Sequence, residues 1–345
     1  MHSIRNVFLG VVLFFAFSVT AAVGDELPPP TGDPSILPPG AKLELLFDKA
    51  IFTEGPAVAP DNCVYFSDIT FTFASDMQAG HIWKYDPKTG ETTIFRSPSG
   101  MSNGLKFDAE GNLIAALGAD YGGRMLVKTD MKTGKSYILT GLYNGRPYNA
   151  LNDVTIDEKG RIYFSDPRYL GHEPIDQPIM GVYRYDPDKS VHLIITDAGK
   201  PNGVCVSPDQ KTLYVVSNDN GCWANERIPE GMPTYKARMA LLAYDLAPDG
   251  TAKFRKVLVD YLPEDGPDGL ISDAEGNLYV AVRNQKRPGI YVYTPEGKEL
   301  AYIPTPIPTN VAFGRGEYSK TLYVTAGHML YKIQMMKDGY LLPQK

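Results

Sequence analysis

The sequence predicts an all-β fold, a six-bladed β-propeller with four-stranded antiparallel blades. Three observations carry this: a repeat with a period near fifty residues, a strand-turn-strand pattern in every copy, and a composition rich in Gly (33), Pro (28) and Tyr (22). Glycine and proline punctuate tight turns, whereas tyrosine and β-branched residues favour strands.

The repeat is plain once the copies are aligned on their turns. Asn103-Gly-Leu-Lys-Phe-Asp108 leads through Ala-Glu-Gly to Asn112-Leu-Ile-Ala-Ala, and Asn152-Asp-Val-Thr-Ile-Asp157 leads through Glu-Lys-Gly to Arg161-Ile-Tyr-Phe-Ser. Asn202-Gly-Val-Cys-Val-Ser207 and Asp268-Gly-Leu-Ile-Ser-Asp273 open two further copies, and looser ones start at Glu54-Gly-Pro and Asn310-Val-Ala. Each reads as an inner strand, a tight turn and a second strand. A third strand follows, as in His81-Ile-Trp-Lys-Tyr and Gly289-Ile-Tyr-Val-Tyr, and turns such as Pro87-Lys-Thr-Gly90 lead to a fourth. Four short antiparallel strands per repeat of this length are the signature of propeller blades. The strand expected around Lys42 to Phe47 precedes the first copy, so it completes the last blade and closes the ring. Closure removes exposed sheet edges.

Ahead of the repeats lies an export signal over residues 1–22: Arg5, an apolar run from Val7 to Val19, and the small residues Ala21 and Ala22. The run is shorter than the roughly 20 residues a spanning helix needs. The mature chain is therefore expected to be secreted or periplasmic and free of the membrane after cleavage. Residues 23–40 read as a Pro-rich tether, extended and unpacked, with the propeller over 41–345. Cys63, Cys205 and Cys222 are odd in number, so at least one stays unpaired; a Cys205–Cys222 bridge is an open alternative. The net charge of −6, without a Lys/Arg run, excludes a nucleic-acid footprint.

The inner strands open on polar residues: Glu54, Asn103, Asn152, Asn202, Asp268 and Asn310. Inner strands line a propeller's channel, so these six side chains converge near its axis, all offering oxygen ligands. Two carboxylates brought together repel unless a proton or a cation intervenes. All-oxygen ligation of this kind suits one divalent metal ion, calcium first, with magnesium, manganese or zinc as alternatives. Against this, Asn or Asp before Gly is a standard turn former, which competes with a ligand role at Asn103. Glu54, between Thr53 and Gly55-Pro56, has no such turn role.

These motifs, in this order and spacing, resemble the gluconolactonase/regucalcin-type family of senescence-marker protein, gluconolactonase and luciferin-regenerating enzyme. The resemblance runs from Glu54-Gly-Pro through Ser102-Asn-Gly-Leu105, Asn152-Asp153, Pro201-Asn-Gly203 and Pro267-Asp-Gly269 to Leu322-Tyr-Val-Thr. It implies an axial catalytic metal with Glu54, Asn202 and Asp268 as ligands and Asn152 as a fourth ligand or substrate contact. Asn103 and Asp153 fall in the pocket wall, and with Asn310 they are the expected substrate-binding positions. Ala150 stands where some sugar-lactonase members carry a pocket Arg. The expected chemistry is metal-assisted hydrolysis of a small-molecule lactone, with Asp268 activating the water. Hydrolysis of a phosphotriester or other ester on the same metal, or a non-catalytic propeller binding a sugar or protein, are the alternatives. No Gly-x-Ser-x-Gly elbow is present, and His81, His172, His192 and His328 fall in strands or loops. The loop Arg168 to Met180 and the insertion Asn220 to Lys236 are expected to rim the pocket, with Tyr169, Trp223 and Tyr235 as lid aromatics.

Overall fold

A computed structural model describes residues 27–76, 79–220 and 237–342, apart from the Phe73 side chain. The expected export signal, Cys222, Trp223, Tyr235 and most of the long insertion lie outside the described residues.

Six four-stranded antiparallel blades form a propeller, as the repeat requires. From the axis outward, blade 1 consists of Thr53–Val58, Val64–Asp68, His81–Tyr85 and Thr92–Arg96. Blade 2 consists of Ser102–Phe107, Leu113–Leu117, Leu126–Thr129 and Ser136–Thr140. Blade 3 consists of Val154–Ile156, Ile162–Ser165, Val182–Tyr185 and Val191–Ile195. Blade 4 consists of Pro201–Val206, Thr212–Asn218, Met239–Leu246 and Ala252–Asp260. Blade 5 consists of Pro267–Ser272, Leu278–Val282, Gly289–Tyr293 and Glu299–Pro304. Blade 6 consists of Pro308–Phe313, Thr321–Ala326 and Met329–Gln334, and its outer strand is Glu44–Phe47, paired with Met329–Gln334. The N-terminal strand thus closes the ring, as expected.

Each blade is covered on both faces by its neighbours, which is why second strands are buried throughout instead of on alternate residues. Val64–Asp68, Leu113–Leu117 and Leu278–Val282 are buried along their whole length. Between blades 5 and 6, Ile271, Tyr279, Val292, Val311, Phe313 and Val324 form one cluster, with Tyr279 edge-on to Phe313 at 4.9 Å. Asp side chains cap the hairpins that join first and second strands: Asp108, Asp157 and Asp273 each accept from backbone N–H groups two and four residues on. The Asp-x-x-Gly turns of the sequence are these caps.

The tether expected over residues 23–40 differs in the structure, which packs its described part onto the propeller. Thr31 and Gly32 pair with Tyr302 and Ala301 as a fifth strand on blade 5, and Ile36 is 1% exposed in the cluster between blades 5 and 6. The physical reason is Ile36-Leu37: burying a large aliphatic side chain is worth about 1.5–3 kcal/mol, enough to hold a proline-rich segment that has few other contacts to lose. Among the described residues no helix is long and apolar enough to cross a membrane.

Candidate functional site

The six polar residues that open the inner strands are all buried, from Asp268 at 2% exposure to Asn103 and Asn152 at 7%. Glu54, Asn103, Asn202 and Asp268 occupy the second position of their strands; Asn310 is third, and Asn152 stands two residues before Val154–Ile156. The pairing of first to second strand skips register just after these positions in blades 1, 2, 4 and 5. Such bulges re-aim side chains at sheet edges and sites.

The Asn-Gly and Asp-Gly pairs are not turns. Gly104, Gly203 and Gly269 lie inside strands and have no positive φ. What they lack is room. A Cβ on Gly203 would sit 2.5 Å from the Asp268 carbonyl oxygen, and one on Gly269 would sit 2.1 Å from Asn310 Cγ. A Cβ on Gly104 would sit 2.6 Å from Asp153 Oδ1. These glycines let neighbouring inner strands close on one another, and that tight approach brings the six polar side chains to one axis. The turn reading of Asn103 is thereby replaced by a packing one.

Within the ring, the negative charge comes from Glu54, Asp153 and Asp268, contributed by blades 1, 3 and 5. Burial raises the Glu54 carboxyl well above the usual range, and the negative charges of Asp268 and Asp153 raise it further. The Gly55 N–H donates to its Oε2 at 3.0 Å. Burial likewise raises Asp268, against the pull of Arg283, whose Nη1 donates to Asp268 Oδ2 at 2.9 Å. Asp153 is raised by burial, opposed by Lys106 and by hydrogen bonds that include the Val204 N–H and the Asn310 side chain. Asp153 and Asn310 therefore hold each other, and Ser165 ties the backbones beside them, its hydroxyl donating to Asn202 O at 2.6 Å and accepting from Asp153 N–H.

Three residues at this site carried no assigned role, or another one, in the sequence. Arg283 leaves the second strand of blade 5 just past Val282, which pairs with Pro267, so the hairpin returns it beside Asp268. That register is the signal that could have found it. Tyr169, expected as a lid aromatic, reaches the ring itself: its hydroxyl accepts from Asn202 Nδ2 at 3.1 Å and donates to Asn218 O at 3.2 Å. Lys200, 1% exposed, places Nζ 4.2 Å from the centre of the Tyr169 ring and donates to Asn220 Oδ1. The loop after Arg168 is pinned from inside, because the fully buried Arg168 guanidinium donates to the carbonyls of Asn149, Glu173 and Pro174. Below the ring the channel narrows to a cavity of about 50 Å³, lined by Lys106, Thr155, Cys205, Ser272 and Arg315 and by the C-terminal residues Tyr340 to Leu342. Among the described residues Cys63 and Cys205 are buried and form no disulfide.

The donor set fits a hard cation. Among the described residues the buried Asn103 Oδ1 and Asn202 Oδ1 have no hydrogen-bond partner. A buried amide oxygen left bare is costly, and ligation of a cation removes that cost. Among the same residues no group of three or more His, Cys, Asp or Glu side chains is arranged for a metal, so a cation here depends on amide oxygens beside Glu54 and Asp268.

Comparison with known proteins agrees with this architecture. The chain is 28% identical over 330 residues to a gluconolactonase of Zymomonas mobilis, covering 88% of this chain and 84% of that one. It is 30% identical over 305 residues to a lactonohydrolase of Aspergillus oryzae, covering 82% and 68%. Among solved structures, a gluconolactonase of Xanthomonas campestris superposes with a TM-score of 0.72 at 25% identity, covering 90% of this chain and 97% of that one. Residues 52–328 match the model of the SMP-30/gluconolactonase/LRE-like region, and the chain belongs to that family.

Proposed function

We propose that this chain is an exported, divalent-metal-dependent lactonase, with Glu54, Asn152, Asn202 and Asp268 as the metal ligands and Asp268 as the catalytic residue. The observation that carries the reading is the convergence, in one buried ring, of two mutually repelling carboxylates and two amide oxygens without partners. The lactone substrate is supported by family membership and by relatives named gluconolactonase and lactonohydrolase. All-oxygen, mixed carboxylate and amide donors favour calcium, with magnesium, manganese or zinc as alternatives.

A bound cation would supply Lewis-acid polarisation of the lactone carbonyl and an acidified water. The residues do the rest. Arg283 and the Asn202 side chain hold the Asp268 carboxylate in place, so that it is oriented to position the attacking water and accept its proton. The water oxygen bonds to the carbonyl carbon, the ring C–O bond breaks, and the departing ring oxygen takes the proton to give a hydroxy acid. Asn103, Asp153 and Asn310 shape the wall against which the substrate rests, Asp153 and Asn310 being locked to each other. Tyr169 holds the Asn202 amide by its nitrogen, which leaves the Asn202 oxygen available to a cation.

The test is hydrolysis of an aldonolactone panel by the purified mature chain, with chelator and then with each cation restored. Activity lost with chelator and regained with calcium is expected, and Asp268→Asn should abolish it while the circular dichroism spectrum is unchanged. Turnover that survives exhaustive chelation, or a folded and fully active Asp268→Asn variant, overturns the reading.

A further inference from the structure

Arg283 carries more donors than Asp268 uses. Its backbone N–H is held by Gly266 O, its Nη1 by Asp268 Oδ2, and its guanidinium carbon lies 5.6 Å from the centre of the Phe52 ring. Among the described residues Asp268 is the side chain's one hydrogen-bond partner, and the side chain is 33% exposed whereas Asp268 is 3% exposed. The Nε–Nη2 edge is left over, two parallel N–H groups with the spacing of a carboxylate's two oxygens.

The surroundings single out this edge. Glu54, Asp153 and Asp268 make the ring repel an anion, and Lys106 lies below it in the channel. Lys200 is 1% exposed beneath Tyr169. The nearby acids in sequence are engaged elsewhere, Glu264 with Lys286 and Asp265 with Gln285. Among the described residues Arg283 is thus a partly exposed cation one hydrogen bond from the proposed catalytic carboxylate.

We propose that the site takes lactones bearing a free carboxylate, gripped by the Nε–Nη2 edge of Arg283 while Nη1 stays on Asp268. The proposal rests on the lactonase reading, and it assigns the substrate class within it. A carboxylate set on Arg283 fixes the ring of the substrate relative to Asp268, so the contact orients as well as binds.

The test uses a matched pair, D-glucono-1,4-lactone and D-glucaro-1,4-lactone, which share a ring and differ by a hydroxymethyl against a carboxylate. With cation restored, wild type should favour the anionic lactone in kcat/KM by about 10- to 100-fold, the worth of a charge-assisted bidentate contact. Arg283→Met should erase that ratio mainly through KM for the anionic lactone, and Arg283→Lys should keep part of it. A ratio near one in wild type, or an unchanged ratio in folded Arg283→Met, overturns the proposal. Calorimetry with D-glucarate and D-gluconate separates its fate from that of lactone hydrolysis. If neither lactone is turned over, tighter glucarate binding that Arg283→Met removes sustains the anion site, and equal or absent binding of the two acids overturns it.

Discussion

Gly203→Ala puts the construction of the ring to the test. The new Cβ would lie 2.5 Å from the Asp268 carbonyl oxygen, 2.8 Å from Leu270 Cδ2 and 3.0 Å from Gly269 Cα. Two of those three atoms are backbone of the adjacent inner strand and cannot rotate away. Replacing glycine by alanine at a compatible φ would stabilise by about 0.4–1 kcal/mol through the unfolded chain. Overpacking a tight core costs about 1–3 kcal/mol and more where backbone must move. With backbone on two of the three contacts, a net loss of about 2 kcal/mol is expected. An unfolding entropy of about 2.1 cal/mol/K per residue over about 300 residues gives roughly 0.6 kcal/mol/K, so the midpoint should fall by about 3 °C. The assay is thermal unfolding followed by circular dichroism, beside Gly141→Ala, where the nearest atom is Met125 Cβ at 3.6 Å and no loss is expected. Since the strain bears on Asp268, turnover should fall more than stability does. A Gly203→Ala protein as stable and active as wild type would falsify the close-approach account and restore Asn202-Gly203 to an ordinary turn pair.

The buried acids make a further set of measurements decisive. Burial raises Glu54, Asp153 and Asp268, and it raises Asp166 to about 7. Above the unfolded value of about 4 the native state then binds more protons than the unfolded one, so stability is greatest below that value and declines as pH rises toward the folded values. In chelator the midpoint should therefore drop between pH 5 and pH 8, and saturating calcium should restore it at pH 8, by about 2.7 kcal/mol at a hundred times Kd. A chelated protein equally stable at both pH values counts against the buried charge cluster. Glu54→Gln should remove much of that drop and weaken calcium binding by isothermal titration; unchanged affinity would take Glu54 out of the ligand set. Ile36→Ala should cost about 2–4 kcal/mol in urea unfolding, because it opens a void between blades 5 and 6. A cost near zero would mean that residues 31–37 do not belong to the folded unit.

Local chemistry settled the repeat and, with it, the ring. A tight turn joined to a β-branched and aromatic strand favours a hairpin, so six copies of that unit, three of them with an Asp-x-x-Gly turn and one interval lengthened by an insertion, point to six blades. Because the copies are in register, the polar residue at the head of each inner strand must come to the axis, and Glu54, Asn103, Asn152, Asn202, Asp268 and Asn310 were legible for that reason. Contacts between blades and across hairpins depend on how far strands close on one another, and no linear pattern states that distance. Hence Asn103-Gly104 admits a turn reading in the chain and is a close approach in the fold. Arg283 carries no motif in the chain, and pairing of Val282 with Pro267 places it beside Asp268. Ile36 and Leu37 read as part of a tether, since the slot that buries them is made by strands nearly three hundred residues away. What the sequence alone determined was which groups would meet at the axis; the tertiary structure decided which of them carry a partner, because hydrogen bonds and ion pairs answer to distances of a few tenths of an ångström that only the closed ring of blades defines.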